Sequence, residues 1–293
     1  AVSNAGALGT LTALTQPTPE ALIKEIAKTK EMTDKPFAVN LTILPAINPP
    51  PYEEYAEAIV GSGIKIVETA GRSPEPFMPL FKEYGIKVIH KCTSVRHALK
   101  AEKVGVDAVT IDGFECAGHP GEDDIPSLVL LPQTVEALTI PVAGCGGFSD
   151  GKSLVAALAL GGEAIVMGTR FMATKECLIH QNVKDKMQEA DELSTNLMFR
   201  TMHNTARVFK NSVSDEVVEI ESTGTAAFED VKDLVAGQRG RVVFDEGDLE
   251  HGIWSAGISV GRVKDVLSCK DMVSRIIGDA EEIINGRLQK VQV

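Results

Sequence analysis

Seven short apolar runs rich in β-branched residues recur along this chain, each closed by Gly, Asn or Pro, and most are followed by a stretch with one apolar face at helical spacing. The runs are Gly9 to Ala13, Phe37 to Thr42, Ile64 to Thr69, Lys87 to His90, Ala108 to Asp112, Pro141 to Gly144 and Ala164 to Met167. Amphipathic helices are expected over Pro19 to Thr29, Tyr52 to Ser62, Pro76 to Tyr84, Val95 to Val104 and Gly151 to Leu160. Strand and helix in strict alternation predict βα units on a parallel sheet. A closed (β/α)₈ barrel needs eight strands. Ala1 to Gly6 has the character of a helix end with its Gly cap, so it reads as the tail of a first unit whose strand lies outside this chain. The expectation is an α/β fold of TIM type with a smaller, mostly helical second domain. An open doubly wound sheet is the competing architecture.

The expected boundaries are a barrel over residues 1–183, a helical domain on the substrate side over 184–267, and a C-terminal helix over 268–293 that returns to the barrel wall. After Phe171 the alternation stops, and Asp185 to about Leu234 reads as helices and loops. Met187, Leu193, Leu197, Met198, Met202 and Val208 are expected to be core of that helical region rather than part of a cofactor site. The final stretch, Asp271 to Val293, reads as one amphipathic helix.

The chain has 293 residues, enough for a barrel with an insertion. A net charge of −12 argues against nucleic acid, whose phosphates this surface would repel. No apolar run reaches the length of a membrane span, and the first residues lack a basic stretch followed by an apolar one, so export is not expected. The cysteines Cys92, Cys116, Cys145, Cys177 and Cys269 are odd in number and contain no C-x-x-C pair, so neither a disulfide framework nor a zinc ribbon is expected. A reducing cytoplasm is the expected setting. These features do not specify an oligomeric state.

Barrel enzymes hold phosphate with the loops that follow their last two strands. Here Gly144-Cys145-Gly146-Gly147 follows one strand and Met167-Gly168-Thr169-Arg170 the next. Glycine lets backbone N–H groups approach an anion that a Cβ would keep away, although tight turns alone would also use it. The run Asp112 to Asp124 leaves a strand and is dense in titratable groups, which places it on the catalytic face. His119 within it has the ring suited to proton transfer near neutral pH. Cys116-x-x-His119 could be half a metal site, but no other Cys or His stands at ligand spacing, so no metal is expected. Lys91 would supply fixed positive charge if it points inward, and would otherwise extend to solvent. Asn40 is a candidate amide partner for a heterocycle and could equally cap a turn. His97, His180, His203 and His251 lie in helical or polar stretches without a paired acid nearby and read as surface or structural.

Taken together, Asn40-Leu41-Thr42, His90-Lys91-Cys92, Asp112 to Asp124, Gly146-Gly147-Phe148, Met167 to Phe171, Gly237-Gln238-Arg239-Gly240 and Gly252 to Gly257 resemble the nitronate monooxygenase family, formerly called 2-nitropropane dioxygenase. The Gly113 to Asp124 run and the Gln238-Arg239-Gly240-Arg241 and Trp254-Ser255-Ala256-Gly257 segments resemble most its bacterial NADH:quinone reductase branch. The resemblance implies FMN bound without a covalent link. Gly146, Gly147, Gly168 and Thr169 match the phosphate site, Asn40, Lys91, Asp112 and Gly118 match other flavin-binding positions, and His119 matches the histidine near the reactive face of the flavin. Family members also begin with a strand and a glycine loop that touches FMN, upstream of the first residue here. The implied activity is transfer of a hydride from NADH through FMN to a quinone. The alternatives are oxidation of alkyl nitronates with O₂, and a silent flavin- or phosphate-binding protein.

Overall fold

The computed structural model describes residues 1–44 and 49–291. Among them, seven strands join in sequence order into one sheet: β1 (Gly9–Thr12), β2 (Phe37–Ile43), β3 (Ile66–Gly71), β4 (Lys87–Cys92), β5 (Ala108–Asp112), β6 (Val142–Cys145) and β7 (Ala164–Val166). The first five pair in parallel, neighbour to neighbour. Parallel neighbours in chain order, with a helix between each pair, make the wall of a TIM-type barrel. At the N-terminus, a turn of 3₁₀ helix (Ser3–Ala5) ends on Gly6 at φ +96, whose N–H donates to the Ser3 carbonyl. That is the glycine-capped helix end expected from the sequence.

The chain divides into two compact units. The first holds residues 1–111 and 132–143, the second residues 112–131 and 144–293.

In the first unit, local sequence explains the starts of two helices. Thr18 caps α1 (Pro19–Met32) by accepting from the Ala21 N–H, and Pro19 stands where no backbone donor is needed. Ser94 does the same for α4 (Val95–Val104) by accepting from the His97 N–H, and Gly105 at φ +88 ends that helix. Leu22 and Ile26 of α1, and Tyr55, Ala56 and Ile59 of α2 (Tyr52–Gly61), are buried. The expected helix over Pro76 to Tyr84 opens as a 3₁₀ turn before α3 (Met78–Glu83).

The second unit contains α6 (Gly151–Ala159), α7 (Thr169–Met172), α8 (Gln181–Glu189), α9 (Ser212–Glu221), α10 (Phe228–Val231), α11 (Gly237–Glu246) and α12 (Cys269–Glu282). A Cβ on Gly151 would meet the Ile276 carbonyl oxygen at 2.6 Å, so glycine lets α6 lie against α12. Beyond α12 the chain runs as a π turn over Ile283–Leu288, and the last two residues of the expected helix lie outside the described residues. Among the described residues, no helix is long and apolar enough to cross a membrane.

Two expectations need correction. The region after Asp185 is not free of strands: β8 (Thr195–Met198) and β9 (Ala206–Phe209) form an antiparallel pair. Each is only four residues long and β9 is buried throughout, so neither shows the two-residue alternation that marks a half-buried strand. Leu193 is not core; it is 74% exposed. Met198 and Val208 are buried, but as strand residues packed with Phe199, Val217 and Val231. Met187 belongs to a neighbouring cluster around Trp254, which stacks on Phe209 with ring centroids 4.2 Å apart. A helix also appears where none was expected, α5 (Ser127–Ala137), which carries Pro132 in its interior.

Candidate functional site

In the first unit, the strand register brings polar side chains of β2, β3 and β4 together, with Asn40 and Glu68 in mid-strand and Lys91 near the end of β4. Asn40 stands opposite Glu68. Its Nδ2 donates to Glu68 Oε1 at 2.8 Å, and Thr42 donates to Asn40 Oδ1 at 2.8 Å. Lys91 Nζ lies 3.7 Å from the same Glu68 oxygen, with the carboxylate largely shielded from solvent. Lys91 therefore does not run to the surface as an isolated charge; it joins a half-buried cluster with Asn40 and Glu68. Glu68 was not singled out from the sequence, yet a carboxylate between Val67 and Thr69 in an apolar strand was a visible signal.

The other side of β4 carries His90, buried, with Nδ1 2.8 Å from Thr69 Oγ1. Burial, and secondarily the positive potential of His97, push its pKa down to about 4, with a hydrogen bond at Thr69 acting the other way. The folded chain thus holds His90 neutral where an unfolded chain would already be protonating it, at about pH 6.5. Its stabilising effect is complete above that pH and is lost as pH falls from about 6.5 towards 4. The expected contribution to the stability lost between pH 7 and pH 5 is about 2 kcal/mol. Denaturant titrations at the two pH values should show that loss, and His90→Gln should flatten the dependence.

In the second unit, the loop leaving Asp112 packs on the loop after β6. The Gly113 N–H donates to the Cys145 carbonyl at 2.9 Å. Ser127 Oγ lies 2.7 Å from the Gly146 carbonyl oxygen, and the Ser127 N–H donates to the Glu115 carboxylate at 2.9 Å. Gly146 and Gly147 follow one another at φ +89 and +82. A Cβ on Gly146 would stand 2.8 Å from the Gly113 carbonyl oxygen, so this position needs glycine for the fold itself. Gly168 is different. Its φ is −98, within reach of any residue, and a Cβ there would meet nothing within 4 Å. The adjacent Thr169 is buried, and its hydroxyl accepts from the Gly257 N–H at 2.9 Å. An exposed glycine that neither conformation nor packing demands, opening onto free space, fits a place kept clear for a phosphate-bearing group.

His119 is exposed in the same unit, and its Nδ1 lies 3.0 Å from the Thr205 carbonyl oxygen. A carbonyl only accepts, so Nδ1 carries the hydrogen and Nε2 is the unprotonated nitrogen of the neutral ring. Gly118 is held in place by backbone pairing. It forms an antiparallel bridge with Arg207, accepting from the Arg207 N–H at 2.6 Å and donating to the Arg207 carbonyl at 3.0 Å. The Arg207 guanidinium is buried, lies over the Phe114 ring at 4.6 Å and donates to the Phe114 carbonyl at 2.9 Å. Two histidines set aside as surface residues do have partners. His180 caps α8 by accepting from the Asn182 N–H, and His251 Nδ1 stands 3.6 Å from the Asp248 carboxylate, an acid three residues earlier.

A parallel sheet with its strands in chain order and a helix between neighbours, with glycine-bearing loops after β6 and β7, is the frame of a flavin-binding barrel oxidoreductase. The nitronate monooxygenase family model matches residues 1–279, and the chain belongs to that family. It is 28% identical to a "(3aS,4S,5R,7aS)-5-hydroxy-7a-methyl-1-oxo-octahydro-1H-indene-4-carboxyl-CoA dehydrogenase" of Rhodococcus jostii, over 95% of this chain and 87% of that protein. It is 26% identical to a "Probable nitronate monooxygenase" of Bacillus subtilis, over 94% of this chain and 89% of that protein. Among solved structures, FabK from Thermotoga maritima superposes with a TM-score of 0.91 at 30% identity, over 99% of this chain and 90% of that one.

Proposed function

We propose that this protein binds FMN and passes a hydride from NADH to a quinone, with His119 supplying the proton that the reduced quinone needs. When bound, FMN supplies the two-electron chemistry between the two substrates. Gly146, Gly147, Gly168 and Thr169 are the proposed phosphate-holding residues, and Asn40, Lys91, Asp112 and Gly118 the further flavin-binding ones, on the strength of the family resemblance and of the open space beside Gly168.

The observation that carries the reading is the bond from His119 Nδ1 to the Thr205 carbonyl. With Nδ1–H committed, Nε2 takes up a proton from solvent and releases it to an oxygen on which negative charge develops. That task exists in quinone reduction, where each transferred hydride leaves an oxyanion to protonate. A nitronate is already an anion and has no acidic proton to surrender on oxidation. Oxidation of alkyl nitronates with O₂ is the second reading, favoured by the family description and by the names of the relatives. The expected result is that NADH oxidation by the purified protein depends on added quinone, whereas oxygen uptake with propyl nitronate stays near background. Rapid oxygen uptake with the nitronate and no quinone-dependent oxidation of NADH would make the second reading the correct one.

A further inference from the structure

We infer that Glu122 is a positioning residue that acts through Thr205 to decide which nitrogen of His119 carries the exchangeable proton. The inference rests on the proton-exchanging role given to His119 above. Thr205 is 1% exposed, and its carbonyl is the acceptor for His119 Nδ1. Thr205 is held through two bonds by one carboxylate. Its N–H donates to Glu122 Oε1 at 2.7 Å and its hydroxyl donates to Oε2 at 2.6 Å, so both carboxylate oxygens grip one residue. Glu122 stands three positions after His119 in the same loop, so the loop and Thr205 close a ring in which the carboxylate holds the residue whose carbonyl holds the imidazole.

The surrounding geometry shows that the turn between β8 and β9 is held in place rather than merely present. Gly118 and Arg207 fix the register on one side of His119. On the other, Arg200 donates to both oxygens of Asp124, at 3.0 and 2.6 Å. Asp124, Phe199 and His203 all adopt positive φ, at 51, 62 and 51, a conformation that side chains other than glycine hold only where neighbours over-determine it. Glu221 supplies part of that constraint, accepting from the Phe199 N–H at 2.7 Å and from the Thr201 hydroxyl at 3.0 Å. Strained backbone next to an exposed histidine, with three carboxylates pinning the same turn, is what keeps a carbonyl aimed at Nδ1.

The tautomer is read directly by ¹⁵N-edited NMR of the imidazole nitrogens, in flavin-free and FMN-loaded protein, with His119→Ala identifying the resonances. Glu122→Ala removes both bonds to Thr205 and is expected to move the His119 nitrogens from a single Nδ1–H form towards a mixture of tautomers. It should also slow the quinone half-reaction about tenfold, the worth of one hydrogen bond, while leaving flavin reduction by NADH unchanged. Glu122→Gln keeps an acceptor for the Thr205 N–H and a donor for its hydroxyl, and should restore both readouts. If Glu122→Ala does not fold, Thr205→Val, which loses only the hydroxyl bond, should shift the same resonances in the same direction by less. Wild-type nitrogen shifts in both variants would overturn the assignment of Glu122. A shifted tautomer together with a His119→Ala variant that reduces quinone at the wild-type rate would leave the positioning intact and overturn the proposed role of His119 instead.

Discussion

Replacing His119 by alanine is expected to slow transfer to the quinone by about 10²- to 10⁴-fold, the usual worth of a placed proton donor, while FMN stays bound and its reduction by NADH is little changed. The asymmetry follows from the chemistry of the two steps. Hydride leaves NADH without a proton to place, so nothing in that step calls on an imidazole. Reduction of the quinone builds an oxyanion, and with Nδ1–H held by the Thr205 carbonyl the only nitrogen that can serve it is Nε2. Stopped-flow mixing, first of oxidised protein with NADH and then of reduced protein with quinone, separates the two rates. Loss of the NADH step with the quinone step intact would place His119 on the wrong side of the reaction.

Gly168→Val is expected to lower FMN affinity by about 10²-fold, equivalent to one or two charge-assisted hydrogen bonds lost to the phosphate, with stability of the flavin-free protein changed by no more than about 0.5 kcal/mol. Nothing lies within 4 Å of the position its Cβ would occupy, and its φ of −98 suits a side chain, so the fold has no use for glycine there. Gly146 offers the contrast. With φ +89 and a Cβ position 2.8 Å from the Gly113 carbonyl oxygen, Gly146→Val should damage folding first and flavin binding as a consequence. Fluorescence titration of flavin-free protein with FMN, beside thermal melts of the same samples, distinguishes a binding glycine from a folding one. A Gly168→Val variant with undiminished affinity would move the phosphate elsewhere.

Much of this was legible in the sequence because it is local. Strand runs such as Phe37 to Thr42, the helix end at Gly6, and the glycines after β6 and at Gly168 depend on residues a few positions apart, and their reasons are backbone reasons. What was not legible depends on distant partners. Thr205 meets Glu122 and His119 across more than 80 residues, and no spacing rule could have joined them. Ser127, which ties Glu115 to Gly146, opens α5, a helix whose pattern Pro132 obscures. The β8–β9 pair was hidden for a different reason: β9 is buried on both faces, so its residues carry no alternation to read. Lys91 lay between, since the strand could show that two faces exist but not that Glu68 waits on one of them.

The most direct test of the account is a single-turnover experiment under anaerobic conditions. Purified protein loaded with FMN should be yellow, lose its flavin absorbance on mixing with one equivalent of NADH, and regain it when one equivalent of quinone follows. A flavin that stays oxidised with NADH but bleaches on mixing with propyl nitronate would contradict the proposed hydride path.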